Sequence, residues 1–312
     1  MTFISNEETV FYSGSIRVSG SPFTRGRDLG KGKWELPADR PFRGRTKFYF
    51  DNDSNYHNRL CRYFLYLLGH PTGEAEWVRV IINNSGAYLR EDTEPVTGEF
   101  VDRIFPNGRH GELYRFDDEW WFADDWDKNN RDADWSYKGS DDPRLYRTEW
   151  QKRTREIEDD YSALIAFFKT YSSSQYSKDE MEQRLDPIAV LQMAAVRGYI
   201  GDWDSFTMFR GKNGYFYRRP TDGKFQFFQW DSDLAFRPGN YPFYTDRVAP
   251  WLERPENMAI FKAYLEQLAQ LSQSPRLAAW FEEESAAKPT RTVNAAFYQN
   301  FFKQRNRFLQ GR

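Results

Sequence analysis

Cysteine is almost missing from the 312 residues: Cys61 stands alone, which excludes an internal disulfide framework and any cysteine-rich metal centre. Its setting, NRLCRYFLYLLG, is that of a small buried apolar side chain rather than a nucleophile. Histidine is nearly as scarce. His57, His70 and His110 are too few and too scattered for a zinc site. Charge of one sign is lacking too: 44 Lys and Arg against 46 Asp and Glu leave a net −2, which argues against a nucleic-acid backbone as the main partner. No apolar run approaches the roughly 18 residues of a membrane span, so no transmembrane segment is expected. MTFISNEETVFYSG has neither the basic nor the apolar region of a leader. Its abrupt start, close to a strand-like pattern, reads as that of an excised domain.

Aromatic residues are abundant: 27 Phe, 19 Tyr and 11 Trp make 18% of the chain, far more than a disordered segment carries. The first third is patterned as strands. SIRVSG, KWELP, TKFYF, EWVRVIIN and GAYLRE are separated by Gly, Pro and Asn. One helix interrupts them over 55–68, where Leu60, Phe64, Leu67 and Leu68 recur at spacings of three and four before Gly69. Strands with a single helix predict a small sheet-based lobe, roughly 1–116, with that helix packed on the sheet. An acidic, Trp-rich stretch over 117–143 follows. DDWDKNNRDADW has a calcium-loop composition without the spacings of an EF-hand, and reads as a solvated insert.

From Arg144 to the end, 144–312, the pattern is mainly helical. Ser177 and Glu180 form a capping box, and Asp186 followed by Pro187 opens a largely apolar helix, PIAVLQMAAVRGYI, that runs into Asp202 and Asp204. GYFYRR and KFQFFQW, joined by PTDGK, read as a hairpin. Further helices are expected in PENMAIFKAYLEQLAQL and over 293–308. The hairpin brings two acidic clusters together, with Asn213 at the end of one and Asp231 and Asp233 at the end of the other. Two clusters so gathered can hold a metal or a proton; phosphoryl transfer would require Mg²⁺ held across the phosphates by carboxylate and amide oxygens, with one carboxylate beside the acceptor hydroxyl.

The ordered motifs GSIRVSG, HNRLCRYFLYLLG, VRVIIN with GAYLREDTEPV, GELYR, WSYKG, EIEDDYSALIAF, GDWDSF, NGYFYR and QWDSDLAF resemble the spore coat protein CotH kinase family of atypical secretory-type protein kinases. The resemblance runs roughly from Ser15 to Leu271. It implies an α+β, kinase-like fold of two lobes, with Asp204 as the catalytic aspartate and Asp231, Asn213 and Asp233 as metal ligands. MFRGK lengthens the usual gap between Asp204 and Asn213. Period-two geometry in an extended segment would turn Asp231 and Asp233 the same way.

For the nucleotide, the resemblance singles out Arg17, Lys33 and Glu94. Glu94 would either pair with the lysine or lie in the hinge. Gly20 and Gly26 would allow close approach of backbone to phosphate. The implied chemistry is phosphoryl transfer from ATP, with Mg²⁺ or Mn²⁺, to Ser or Thr of a protein substrate. AMP transfer, carboxylate activation, or a catalytically silent surface module using the aromatics of EWWFADDWD are the alternatives. The envelope, a spore surface or secretion is the implied location.

Overall fold

The computed structural model describes residues 2–7, 9–18, 31–51, 56–83, 86–107, 109–117, 132–173, 175–245, 248–287 and 293–311. Gly20, Gly26, the aromatics of EWWFADDWD and most of the acidic stretch lie outside them. The chain forms two compact units, residues 1–54 with 73–100, and residues 55–72 with 101–312.

The first unit is made of strands. β1 (Phe3–Ile4) and β2 (Val10–Phe11) form a short antiparallel pair. β3 (Ser15–Val18), β4 (Gly32–Glu35), β5 (Lys47–Asp51), β6 (Ala75–Val80) and β7 (Tyr88–Thr93) form an antiparallel sheet in the order β3-β4-β5-β7-β6. Alternation decides its faces. Trp34, Phe48 and Phe50 join Phe11, Leu36 and Val80 in an apolar cluster, which leaves Lys33, Tyr49 and Asp51 for the opposite face.

The second unit contains α1 (His57–Leu67), so the helix expected on the first sheet belongs here instead, packed against α5 (Pro187–Tyr199). The other helices are α3 (Ser162–Ser172), α4 (Lys178–Glu182), α6 (Ala249–Leu252), α7 (Pro255–Leu271), α8 (Pro275–Ala287) and α9 (Ala295–Gln310). A short α2 (Gly98–Ile104), which the sequence pattern does not anticipate, runs from one unit into the other. β8 (Glu112–Phe116), β9 (Trp150–Lys152), β10 (Gly214–Arg218) and β11 (Phe225–Gln229) form an antiparallel sheet in the order β11-β10-β8-β9. β9 lies in the stretch expected to be helical from Arg144 onward. One face of this sheet packs Phe116, Phe216 and Phe227 against Trp135, Trp150, Phe167 and Phe206.

The start signals read from sequence act as expected. Ser177 accepts the Glu180 N–H while the Glu180 carboxylate accepts the Ser177 N–H, closing the capping box. Asp186 caps α5 by accepting the Ala189 N–H at 3.1 Å, and from Ala189 to Tyr199 every residue of that helix is buried. Cys61 is buried on α1, where burial pushes its thiol pKa up.

Candidate active site

Everything in the candidate site hangs on the end of α5. Gly201, with a left-handed φ of +62°, turns the chain out of the helix and into Asp202, which is fully buried. Arg197, the only charged residue of α5, is buried with it, its Nε 2.9 Å from Asp202 Oδ2. The rest of the guanidinium reaches two other loops. Nη1 donates to the Trp230 carbonyl (3.1 Å) and to Ser232 Oγ (2.6 Å); Nη2 donates to the carbonyls of Asp231 (3.2 Å) and Asn213 (3.4 Å).

Those loops meet because the β10–β11 ladder brings them together. Gly214 pairs with Gln229, and the Trp230 N–H extends the pairing by one step to the Asn213 carbonyl (3.3 Å). Asn213 and Asp231 both have left-handed backbones, with φ of +64° and +49°, a region that Asn and Asp enter more readily than most residues. The segment after β11 is therefore a loop and not the extended strand expected, so the period-two argument for Asp231 and Asp233 does not apply to it. Asp231 is half-buried and Asp233 exposed. α1 grips this loop: Asn58 Oδ1 accepts the Ser232 N–H, and His57 Nδ1 donates to the Asp233 carbonyl at 2.7 Å.

Asp204 lies against Asn213 in spite of the lengthened gap. Asn213 Nδ2 donates to the Asp204 carbonyl (2.8 Å) and to Asp204 Oδ2 (3.0 Å), and Lys212 Nζ sits 3.4 Å from the same Oδ2. The loop between them is fastened at Gly211, whose carbonyl accepts the Ala133 N–H, and at Arg210, which pairs with Asp132 at 3.1 Å. Gly211 has to be glycine, since a Cβ would lie 2.0 Å from the Ala133 carbonyl oxygen.

Burial pushes the Asp204 carboxyl above its ordinary range, with Lys212 and Arg210 pulling it back and Asp231 adding to the rise. Asp202 is pushed up to about 6, first by burial, opposed by Arg197, and raised further by Asp204 and Asp231. Asp204 and Asp231 each raise the Asp202 carboxyl, and Asp231 raises that of Asp204, so the three carboxylates feel one another while Arg197 and Lys212 offset part of their charge.

Arg17, Lys33 and Glu94 all belong to the first unit. Arg17 and Lys33 are directly opposed across β3 and β4, so they share one face, Arg17 exposed and Lys33 half-buried. Glu94 is buried just past β7, where its carboxylate accepts the Glu74 N–H (3.1 Å) and its own N–H donates to the Glu74 carbonyl (2.8 Å).

A family model described as CotH kinase protein matches residues 31–283. The chain belongs to the CotH kinase family. Comparison with curated proteins gives no significant match. CotH kinase membership agrees with the α+β architecture and the strand-rich N-terminal region, and it points to kinase-like phosphotransfer with, in general terms, ATP and a divalent metal. Among the described residues no helix is long and apolar enough to cross a membrane.

Sequence reasoning passed over Arg197 and Lys212, and it placed Asp202 at the end of the apolar helix without giving it a role. Arg197 did carry a signal: it is the lone charge in a 13-residue helix otherwise made of apolar and small residues, Gln and Tyr. A charge so placed needs a buried partner, and the nearest carboxylate downstream is Asp202.

Proposed function

We propose that this CotH kinase family chain transfers the γ-phosphoryl group of ATP to Ser or Thr of a protein, with Mg²⁺ or Mn²⁺. The observation that supports this most is the gathering of Asp204, Asn213 and Asp231 around the end of α5 and the open ends of β10 and β11. Asp204 accepts the proton of the acceptor hydroxyl. Its Oδ2 is engaged by Asn213 and Lys212, which leaves Oδ1 as the oxygen for that proton, and a pKa raised by burial makes it a better base.

The donor set fits the metal. Carboxylate and amide oxygens suit a hard cation, and among the described residues no group of three His, Cys, Asp or Glu forms a cage. A cation that keeps several waters and takes phosphate oxygens needs only one or two carboxylates. Asp231 and the Asn213 amide oxygen would hold it, with Asp233 as an outer partner. When bound, the metal supplies charge neutralisation on the phosphates. Arg17 and Lys33 would contact the nucleotide phosphates, with Glu94 either paired with the lysine or in the hinge.

The test is intact-protein mass after incubation with ATP and Mg²⁺ or Mn²⁺, with a Ser/Thr-rich acceptor, for wild type and Asp231→Ala. A phosphate-sized gain on chain or acceptor, lost in the variant, is the expected result. An AMP-sized gain would retain the site and replace the reaction. No gain and no thermal stabilisation by nucleotide would leave a binding module, the reading that rested on the aromatics of EWWFADDWD.

A further inference from the structure

One guanidinium joins all three parts of the candidate site. Arg197 meets the acidic loop through Asp202, the loop before β10 through the Asn213 carbonyl, and the loop after β11 through the Trp230 and Asp231 carbonyls and Ser232 Oγ. Two of those carbonyls belong to residues with left-handed backbones. Such conformations persist only where the surroundings hold them, and here the guanidinium takes part in holding both. Ser232 Oγ is gripped from a second side by Gln229 Nε2 at 2.9 Å, so the anchor is itself anchored.

We propose that Arg197 is the positioning residue that sets the divalent-cation affinity of this site, by fixing the backbones from which the Asn213 amide and the Asp231 carboxylate reach the ion. The inference rests on the proposed metal site. A guanidinium can do this because its N–H groups diverge in one plane and bond several acceptors at once. A lysine at the same place would keep the charge beside Asp202 and lose the fork. Groups that orient metal ligands typically change metal affinity about 10–100-fold when removed.

The experiment titrates Mg²⁺, and separately Mn²⁺, against two readouts: the rate of phosphoryl transfer at saturating ATP, and the thermal shift produced by ATP with metal. Wild type, Arg197→Lys, Asp231→Ala and the double variant Arg197→Met with Asp202→Asn are compared. The double variant removes the buried charge that a lone Arg197→Met would strand. Expected for both Arg197 variants is a half-saturating metal concentration raised about tenfold or more in both readouts, with most of the rate regained at high metal, and a lowered metal-free melting midpoint because the Trp230, Asp231 and Asn213 carbonyls lose donors. A folded Arg197 variant whose metal half-saturation equals wild type overturns the proposal, as does a rate loss that metal cannot restore. If Asp231→Ala also titrates like wild type, the metal-site reading itself has failed and the inference falls with it.

Discussion

The Asn213 side-chain amide donates to Asp204 twice, to its carbonyl at 2.8 Å and to its Oδ2 at 3.0 Å. Nine residues separate the two, and the side chain of one holds both the backbone and the carboxylate of the other. The candidate base is thus oriented by the candidate metal ligand, and proton acceptance and metal binding share one support.

Asp204→Asn tests the base. The amide keeps the shape and removes the proton acceptor, and general-base contributions are typically about 10²–10⁴ in rate. A loss of that order in kcat is expected at saturating ATP and metal. The melting midpoint should hold or rise, because the raised pKa means that the buried carboxylate is a burden on the fold. A variant with the wild-type rate would remove Asp204 from the role.

Arg305→Met tests how the end of α5 is held from behind. Arg305, fully buried on α9, donates to the carbonyls of Gly198, Tyr199, Gly239, Tyr241 and Pro242 and lies 3.8 Å over the Phe243 ring. Removing it strands buried acceptors in two segments, a loss of about 3 kcal/mol or more in urea unfolding. A change of only a few tenths would show that water replaces these bonds.

Gly198→Ala should reverse the usual sign of its class. Alanine in a helix interior is ordinarily better than glycine by about 0.5–1 kcal/mol. Here a Cβ would lie 1.9 Å from the Phe243 carbonyl oxygen, a backbone atom that Arg305 helps to hold through the neighbouring Pro242. A drop in melting midpoint is expected, and a gain would mean that the 239–243 segment yields easily.

His70 gives the chain a dependence on pH. It is buried beside Gln192, and burial lowers its pKa to about 4, opposed by the Gln192 hydrogen bond. In the unfolded chain it titrates near 6.5. Between these values the unfolded state binds a proton that the folded state refuses, so stability is present above pH 6.5 and is lost as pH falls, by about 3 kcal/mol once below both values. Asp202 acts in the opposite sense: its folded pKa of about 6 exceeds the ordinary 3.8, so its contribution is greatest below 3.8 and is lost as pH rises through 6. The contrast of wild type with His70→Gln isolates the histidine. The variant should gain on wild type between pH 6.5 and 4 in urea unfolding, and parallel curves would sink the assignment.

Much of this was legible in advance, for reasons that differ by element. Asp186 with Pro187, Ser177 with Glu180 and the PTDGK turn are local signals, and a local signal survives whatever packs around it. α5 declared its burial by lacking a polar face. β9 and α2 did not show, because three and seven residues leave too little periodicity against the charged and Gly-bounded stretches around them. Asp204 and Asp231 came from resemblance to a family. That Asn213 and Asp231 stand together follows from the hairpin that the PTDGK turn announces, while Asp204 joins them through the Asn213 side chain, a contact that no run of residues spells out. Three of the bonds of Arg197 join residues up to 34 apart through backbone carbonyls, and a carbonyl carries no side-chain signature.

The left-handed backbones of Asn213 and Asp231 restrict the alphabet of both positions before any chemistry is considered. Glycine accepts that conformation freely and Asn or Asp at small cost, while the mirror-handed turn penalises most other L-residues by about 1–2 kcal/mol. Alanine there confounds two losses, one of a ligand and one of a turn. Glycine at 213 or 231 deletes the side chain and spares the bend, so it separates what these residues bind from what they shape.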